Sequence, residues 1–321
     1  MSSRAGATGL VLVVLASGGC DASPDSAPPP ARAGTLSVED AEIWYQSIGT
    51  GEPVIAVHGG PGLDHSYLLP GLEPLGEVAR LILYDQRGLG SSPTVLDSAS
   101  VSITRFLDDI DAVRQRVAGT PRVTLLSHSW GAIPALLYAM RWPQRVEGLI
   151  LVSAVEPGQR YADAVAAAQA ERRAPEDAAA IDSLLGTAAF RSGDRATVNR
   201  LFFHVFRGTF ADPSIADERF RLRLGERTTV QGRIVSTLVM TPLAGLDLWD
   251  ELPALDVPVL LVHGEADPIP LEMIRELESA LPRARLVTIA GAGHFPFVEK
   301  PDEFLAAVLS FLEERAAPAA P

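Results

Sequence analysis

The chain has 321 residues, 47% of them hydrophobic, with 27 basic against 40 acidic side chains and a net charge of −13. That length and apolar content are enough for a large buried core. The charge excludes nucleic acid as a partner, because contacts to phosphate need clustered Lys and Arg, and no basic run here exceeds two residues.

Residues 1–20 read as an export signal. Arg4 gives a positive start, Leu10 to Ala16 (LVLVVLA) is apolar but too short to span a bilayer, and Ser17-Gly18-Gly19 leads to Cys20. Cys20 is the only cysteine, so no internal disulfide can form. Its placement resembles the lipid-attachment cysteine of bacterial lipoproteins. That resemblance implies an exported protein anchored to a membrane of a bacterial cell envelope. Residues 21–34, rich in Pro, Ala and Ser, are expected to be a flexible tether.

The body begins at Thr35. Residues 35–48 hold two short β-like runs separated at Asp40. Pro53 to His58 and Arg80 to Tyr84 are continuous apolar runs, ending at Gly59-Gly60-Pro61-Gly62 and at Asp85. Val101 to Val117 has apolar residues at 103, 106, 107, 110, 113 and 117, which is helical spacing. Buried runs follow at 122–126, 146–152, 257–263 and 285–289, with helices expected over 130–141, 269–280 and 301–314. Short apolar strands alternating with helices imply an α/β fold with a mostly parallel sheet covered on both faces. Residues 155–245 break that rhythm and predict a helical cap inserted into a core of residues 35–154 and 246–316. Ligands of such sheets bind beyond the carboxyl ends of the strands.

One stretch at such an end stands out. LLSHSWGA at 125–132 sets Ser129 between a strand and a helix, flanked by the small residues Ser127 and Gly131. A serine at a sharp strand-to-helix bend is a nucleophile elbow, although Ser129 could equally cap the helix. As a nucleophile it needs a base, and the base needs an orienting acid, in the chain order serine, acid, histidine. Three histidines lie downstream: His204 in the cap, His263 at a strand end, and His294 in the loop GAGHFP. His294 is the choice, because its loop follows the last strand and can aim an imidazole. Asp267, directly after a strand, is the acid chosen. Asp247, Asp250, Asp256 and Glu265 are weaker candidates. Asp267 could instead cap the helix near Ile269, and the two roles are expected to compete. The oxyanion hole should come from the N–H groups of Gly60 and Trp130.

HGGPG at 58–62, YDQRGLGSS at 84–92, Ser-Trp-Gly at 129–131 and GAGHFPFVEKP at 291–301 together resemble the proline iminopeptidase group of α/β-hydrolases, over about residues 35–314. The resemblance implies a Ser129–His294–Asp267 triad, an oxyanion hole from Gly60 and Trp130, and release of an N-terminal residue from a short peptide. It also implies that Asp85 and Arg87 brace their loop. Ser127-His128 stands where that group often carries glycines, and a carboxylesterase is the alternative. Recognition of a free amine would need a cap carboxylate, with Glu156, Asp217, Glu218 and Glu226 available. A non-catalytic ligand-binding protein is the competing class. No cofactor or metal is expected, since the six histidines are scattered and no H-E-x-x-H occurs.

Overall fold

A computed structural model describes residues 31–316. Cys20 and the segment expected to be a signal lie outside those residues. Among the described residues, eight strands form one sheet: β1 (Ala31–Val38), β2 (Ala41–Ile48), β3 (Pro53–Val57), β4 (Arg80–Tyr84), β5 (Val123–His128), β6 (Val146–Val152), β7 (Val259–Gly264) and β8 (Ala284–Ile289). Their spatial order is β1-β2-β4-β3-β5-β6-β7-β8. The first two pairings are antiparallel and the other five parallel. This is an α/β-hydrolase fold.

The tether was expected to run to Gly34, but β1 starts at Ala31. Its register explains the difference: Ala31 pairs with Ile48 and Val38 with Ala41, so β1 matches the full length of its neighbour.

Among the described residues, twelve α-helices accompany the strands. In chain order they are α1 (Leu69–Leu72), α2 (Ile103–Val113), α3 (Ala132–Arg141), α4 (Ala162–Arg172), α5 (Pro175–Leu185), α6 (Ala188–Arg191), α7 (Arg195–Arg207), α8 (Pro213–Arg219), α9 (Glu226–Met240), α10 (Leu271–Ala280), α11 (Pro296–Glu299) and α12 (Pro301–Ala316). Helix α2 starts at Ile103, two residues into the segment that opens at Val101, because Ser102 caps it by accepting from the Arg105 amide. Helix α10 starts at Leu271 rather than Ile269, because Pro268 and Pro270 hold the backbone extended ahead of it.

Side chains alternate across the strands and feed two cores. Ile55, Val57, Leu125, Leu149, Leu151 and Leu261 pack with residues of α2, α3 and α10. Val54, Ala56, Leu126, Ile150, Val152 and Leu260 pack with residues of α1 and α12. Both faces are therefore apolar, which is why these strands read as unbroken runs.

Helices α4 to α9 fill the chain between β6 and β7 and lie over the carboxyl ends of the strands. Val235 and Val239 of α9 pack with Trp130, Phe106 and Ile133. Each such aliphatic side chain contributes roughly 1.5–3 kcal/mol when fully buried. A polar clasp adds direction: buried Asp64 accepts from the Gly225 amide at 2.8 Å and the Thr228 hydroxyl at 2.6 Å, and Thr228 Oγ1 accepts from the Gly90 amide at 2.7 Å.

The loop after β4 is braced from below. Arg87 is buried and grips buried Asp109 of α2 with two bonds, Nε to Oδ2 at 2.7 Å and Nη2 to Oδ1 at 2.6 Å. Its Nη1 donates to the Ser100 carbonyl at 2.8 Å. Asp85 accepts from the His65 amide at 3.1 Å and the Ser91 amide at 2.8 Å. Asp109→Ala leaves the guanidinium buried without its counter-charge and should cost about 3–5 kcal/mol in denaturant unfolding. A loss below about 1 kcal/mol would contradict the bracing role.

Candidate active site

The bend after β5 is tight. Ser129 sits at φ 54°, a left-handed backbone that non-glycine residues adopt only at a cost of about 1–3 kcal/mol. The chain then passes through one 3-10 turn, Ser129–Gly131, into α3. Gly131 is required by close approach: a Cβ there would lie 2.4 Å from the Val57 carbonyl oxygen. Ser127 needs no such freedom. It lies within β5, fully buried, with its hydroxyl donating to the Ile150 carbonyl at 3.5 Å. Ser129 does not cap α3: the cap position of that helix is Gly131, and no side chain accepts there. The Ser129 side chain turns instead toward His294.

Ser129 Oγ lies 3.0 Å from His294 Nε2, and His294 Nδ1 lies 3.0 Å from Asp267 Oδ2 and 3.1 Å from Oδ1. An ionised Asp267 only accepts, so Nδ1 carries the proton and Nε2 is free to receive the hydroxyl proton of Ser129. Burial pushes the Asp267 carboxyl up, but the imidazoles of His294 and His263 outweigh it, and the group titrates below its ordinary value. The expected competition between capping and orienting does not occur. Asp267 Oδ1 also accepts from the Ile269 amide at 2.9 Å. Two oxygens offer about four lone-pair sites, enough for both tasks.

The histidine loop is fixed at its backbone. The His294 amide donates to the Thr209 carbonyl at 2.9 Å. Glu299 Oε1 accepts from the amides on either side of His294, Gly293 at 2.9 Å and Phe295 at 3.1 Å, while Oε2 accepts from Ala211 at 2.7 Å. Glu299 is not among the residues predicted from sequence, although it stands as the acid five residues beyond the histidine in GAGHFPFVEKP.

The other candidates lie elsewhere. His263 Nε2 donates to the Ile269 carbonyl at 3.0 Å, and its Nδ1 is 3.7 Å from Asp267 Oδ2. His204 pairs with Asp177 within the cap at 2.7 Å. Asp247 accepts from the Trp249 amide at 3.1 Å, and Asp256 stands 3.9 Å from Arg283. Asp250 and Glu265 have no part in the Ser129–His294 geometry. Asp64, His65 and Asp85 form a compact group of metal-ligand types. Their atoms already serve the clasp and the loop: His65 Nδ1 lies 2.7 Å from Asp85 Oδ1, and Ser66 donates to Asp64 Oδ1 through its hydroxyl at 2.5 Å.

Ser129 and His294 open into a cavity of about 410 Å³. Gly60 and Trp130 line it beside them, with Ile133, Val155, Val205, Phe206, Met240 and Leu243 forming apolar walls. The Gly59 amide is spent on Tyr67, whereas neither the Gly60 nor the Trp130 amide enters a turn or loop hydrogen bond among the described residues. Among the four cap carboxylates considered, only Glu156 lines the cavity. Asp217 is paired with Arg207 at 2.9 Å.

Comparison with known proteins agrees with this architecture. A model described as the alpha/beta hydrolase family matches residues 54–307. Similar proteins include the proline iminopeptidase of Saccharolobus solfataricus, 24% identical over 275 residues that cover 84% of this chain and 87% of that one. Another is the proline iminopeptidase of Lactobacillus delbrueckii subsp. lactis, 29% identical over 262 residues, 77% of this chain and 85% of that one. Among solved structures, a thermophilic esterase from Thermogutta terrifontis superposes with a TM-score of 0.68 at 23% identity, covering 89% of this chain and 100% of that one.

His128, behind the elbow, makes a pH test possible. Burial, aided by the neighbouring His294, pulls its imidazole from the ordinary 6.5 down to about 3, against the opposing pull of the His294 carbonyl and Asp267. Between those two values the unfolded chain binds a proton that the folded chain refuses. The stability tied to the neutral ring is therefore complete above pH 6.5 and is lost as pH falls toward 3, by about 1.4 kcal/mol per unit. His128→Gln should flatten the fall in unfolding free energy between pH 7 and pH 4 by about 3 kcal/mol. Parallel pH profiles for the two proteins would contradict this.

Proposed function

The chain belongs to the alpha/beta hydrolase family and is a serine hydrolase; from that premise we propose that Ser129 is its nucleophile, His294 its general base and Asp267 the carboxylate that orients the base. One observation carries the assignment: Ser129 Oγ, at a strained bend, lies 3.0 Å from an imidazole nitrogen free to accept its proton. As Oγ bonds to the carbonyl carbon of the substrate, its proton passes to Nε2. The carbonyl oxygen becomes an oxyanion and takes hydrogen bonds from the amides of Gly60 and Trp130. The bond to the leaving group then breaks, and that group leaves with the proton from Nε2. Water repeats the sequence on the acyl-enzyme and restores Ser129.

Within this chemistry we propose an aminopeptidase of the proline iminopeptidase type, releasing an N-terminal residue from short peptides. Two features support it. The relatives named above are proline iminopeptidases. Glu156 also supplies a negative charge at the cavity wall. Its carboxylate is held by neutral donors, the amides of Arg160 and Tyr161 and the Trp249 indole, and makes no ion pair among the described residues. The Val155 amide donates to the Ser129 carbonyl at 3.4 Å, which keeps Glu156 next to the elbow. A free ammonium would find its counter-charge there. The second candidate activity is carboxylesterase. It is favoured by the apolar walls, which would accept a neutral acyl group.

We also propose export and lipid anchoring through Cys20, on the strength of the LVLVVLA run and the lone cysteine after it. No helix among the described residues is long and apolar enough to cross a membrane.

Ser129→Ala and His294→Ala should each lower turnover about 10⁴-fold or more; near-normal rates in either would remove that residue from the mechanism. Prolyl and alanyl arylamides, assayed beside short and long nitrophenyl esters, separate the two substrate classes. The aminopeptidase assignment expects arylamide turnover, with Glu156→Gln raising KM for free-amine substrates only. Turnover of esters alone would favour the carboxylesterase. Cys20→Ala should move the protein from the membrane to the soluble fraction, and continued membrane association would refute the anchor.

A further inference from the structure

A second histidine stands directly behind the nucleophile and takes no part in proton transfer. His128 is 2% exposed, at the last position of β5. Its Nε2 lies 2.8 Å from the His294 carbonyl oxygen and its Nδ1 lies 2.9 Å from the Tyr67 hydroxyl. The Gly59 amide donates to that same hydroxyl oxygen at 2.7 Å.

Only one arrangement of protons satisfies all three contacts. The carbonyl can only accept, so His128 Nε2 carries a proton. A neutral ring then leaves Nδ1 as acceptor for the Tyr67 O–H, and the Tyr67 oxygen accepts from Gly59. Burial supports both assignments, since it holds the ring neutral and pushes the Tyr67 phenol far above its ordinary titration range. The environment is otherwise apolar. Phe295 and Phe297 pack on the ring at centroid distances of 5.2 and 5.1 Å. An unpaired polar atom there would cost about 1–3 kcal/mol, so the three bonds hold one another in place. Gly59 is tuned to the same contact: a Cβ on it would lie 2.9 Å from the Tyr67 hydroxyl oxygen and 2.8 Å from the His128 carbonyl oxygen.

We infer that His128 and Tyr67 are positioning residues, a three-bond relay that locks the loop carrying Gly60 and the loop carrying His294 onto the elbow that carries Ser129. The relay runs through the backbone of Gly59, next to the proposed oxyanion donor, and through the carbonyl of His294, the proposed base. It therefore fixes both halves of the catalytic geometry relative to the nucleophile. The inference rests on the roles proposed above for Ser129, His294 and Gly60. It goes beyond them by assigning work to two residues that touch no substrate.

A displacement of about 1 Å at reacting groups costs up to about 10²-fold in rate. The test compares His128→Leu, His128→Gln and Tyr67→Phe with wild type, using whichever arylamide or nitrophenyl ester the wild type turns over. Gln places an amide N–H where Nε2 stands and keeps the bond to the His294 carbonyl, whereas Leu removes both contacts. The relay predicts that His128→Leu lowers kcat about 10- to 100-fold with KM within about twofold. It predicts that His128→Gln recovers most of that loss, and that Tyr67→Phe, which leaves His128 Nδ1 and the Gly59 amide unpaired, falls between the two while staying folded at the assay temperature. Because the ring is neutral and acts through geometry, the acid limb of the kcat/KM profile should not move in Tyr67→Phe. A Tyr67→Phe protein with wild-type kcat would overturn the relay, as would a His128→Gln protein no better than His128→Leu. Survival of turnover in Ser129→Ala, measured alongside, would instead overturn the nucleophile assignment on which the relay depends.

Discussion

The left-handed backbone at Ser129 is the constraint from which the rest of the site follows. A strand that ended more gently would leave the hydroxyl beside the sheet, within reach of the helix amides. The sharp bend requires Gly131, because the turn runs against the carbonyl of Val57 in the adjacent strand. That contact joins β3 to the elbow, so the loop after β3 is carried to the same place. The strain of about 1–3 kcal/mol is affordable because β5 is central in the sheet and buried along its whole length. Strain of this kind needs a rigid surround, and both apolar cores supply one.

The charges around the cavity are arranged with similar economy. Asp267 is ionised, buried and shared between an imidazole and an amide, so it orients His294 without drifting. Glu299 is also buried, yet it spends both oxygens on backbone amides and holds the loop rather than the ring. Asp64 does the equivalent for the cap, tying α9 to the loops after β3 and β4 through Thr228. Glu156 is the acidic residue of the cavity lining, and its carboxylate is held by neutral donors with no ion pair among the described residues. Similar side chains thus perform four different tasks, decided by what surrounds each.

The centre of the sheet was legible because β3 to β7 are buried on both faces and read as apolar runs without alternation. Ser129, Asp267 and His294 were legible because each follows such a run, at the end of a strand where a parallel sheet gathers its loops. Helix starts were read less accurately at Ile103 and Leu271, where a serine cap and two prolines set the boundary. The dual role of Asp267 was not legible, since sequence names a residue but not the division of its two oxygens. Tyr67 carried no signal, because its partner His128 is 61 residues away in the chain. Glu156 in the loop after β6 and the acids on α8 and α9 could not be ranked, since nothing in the sequence shows which of them meets the cavity.

The account stands on Ser129 being a nucleophile activated by its neighbour. A fluorophosphonate probe, followed by mass spectrometry of the labelled peptide, examines this directly. The predicted result is a single covalent adduct on Ser129 in the folded protein, formed far more slowly when His294 is replaced by alanine. An unlabelled folded protein, or an adduct on any other hydroxyl, would contradict it.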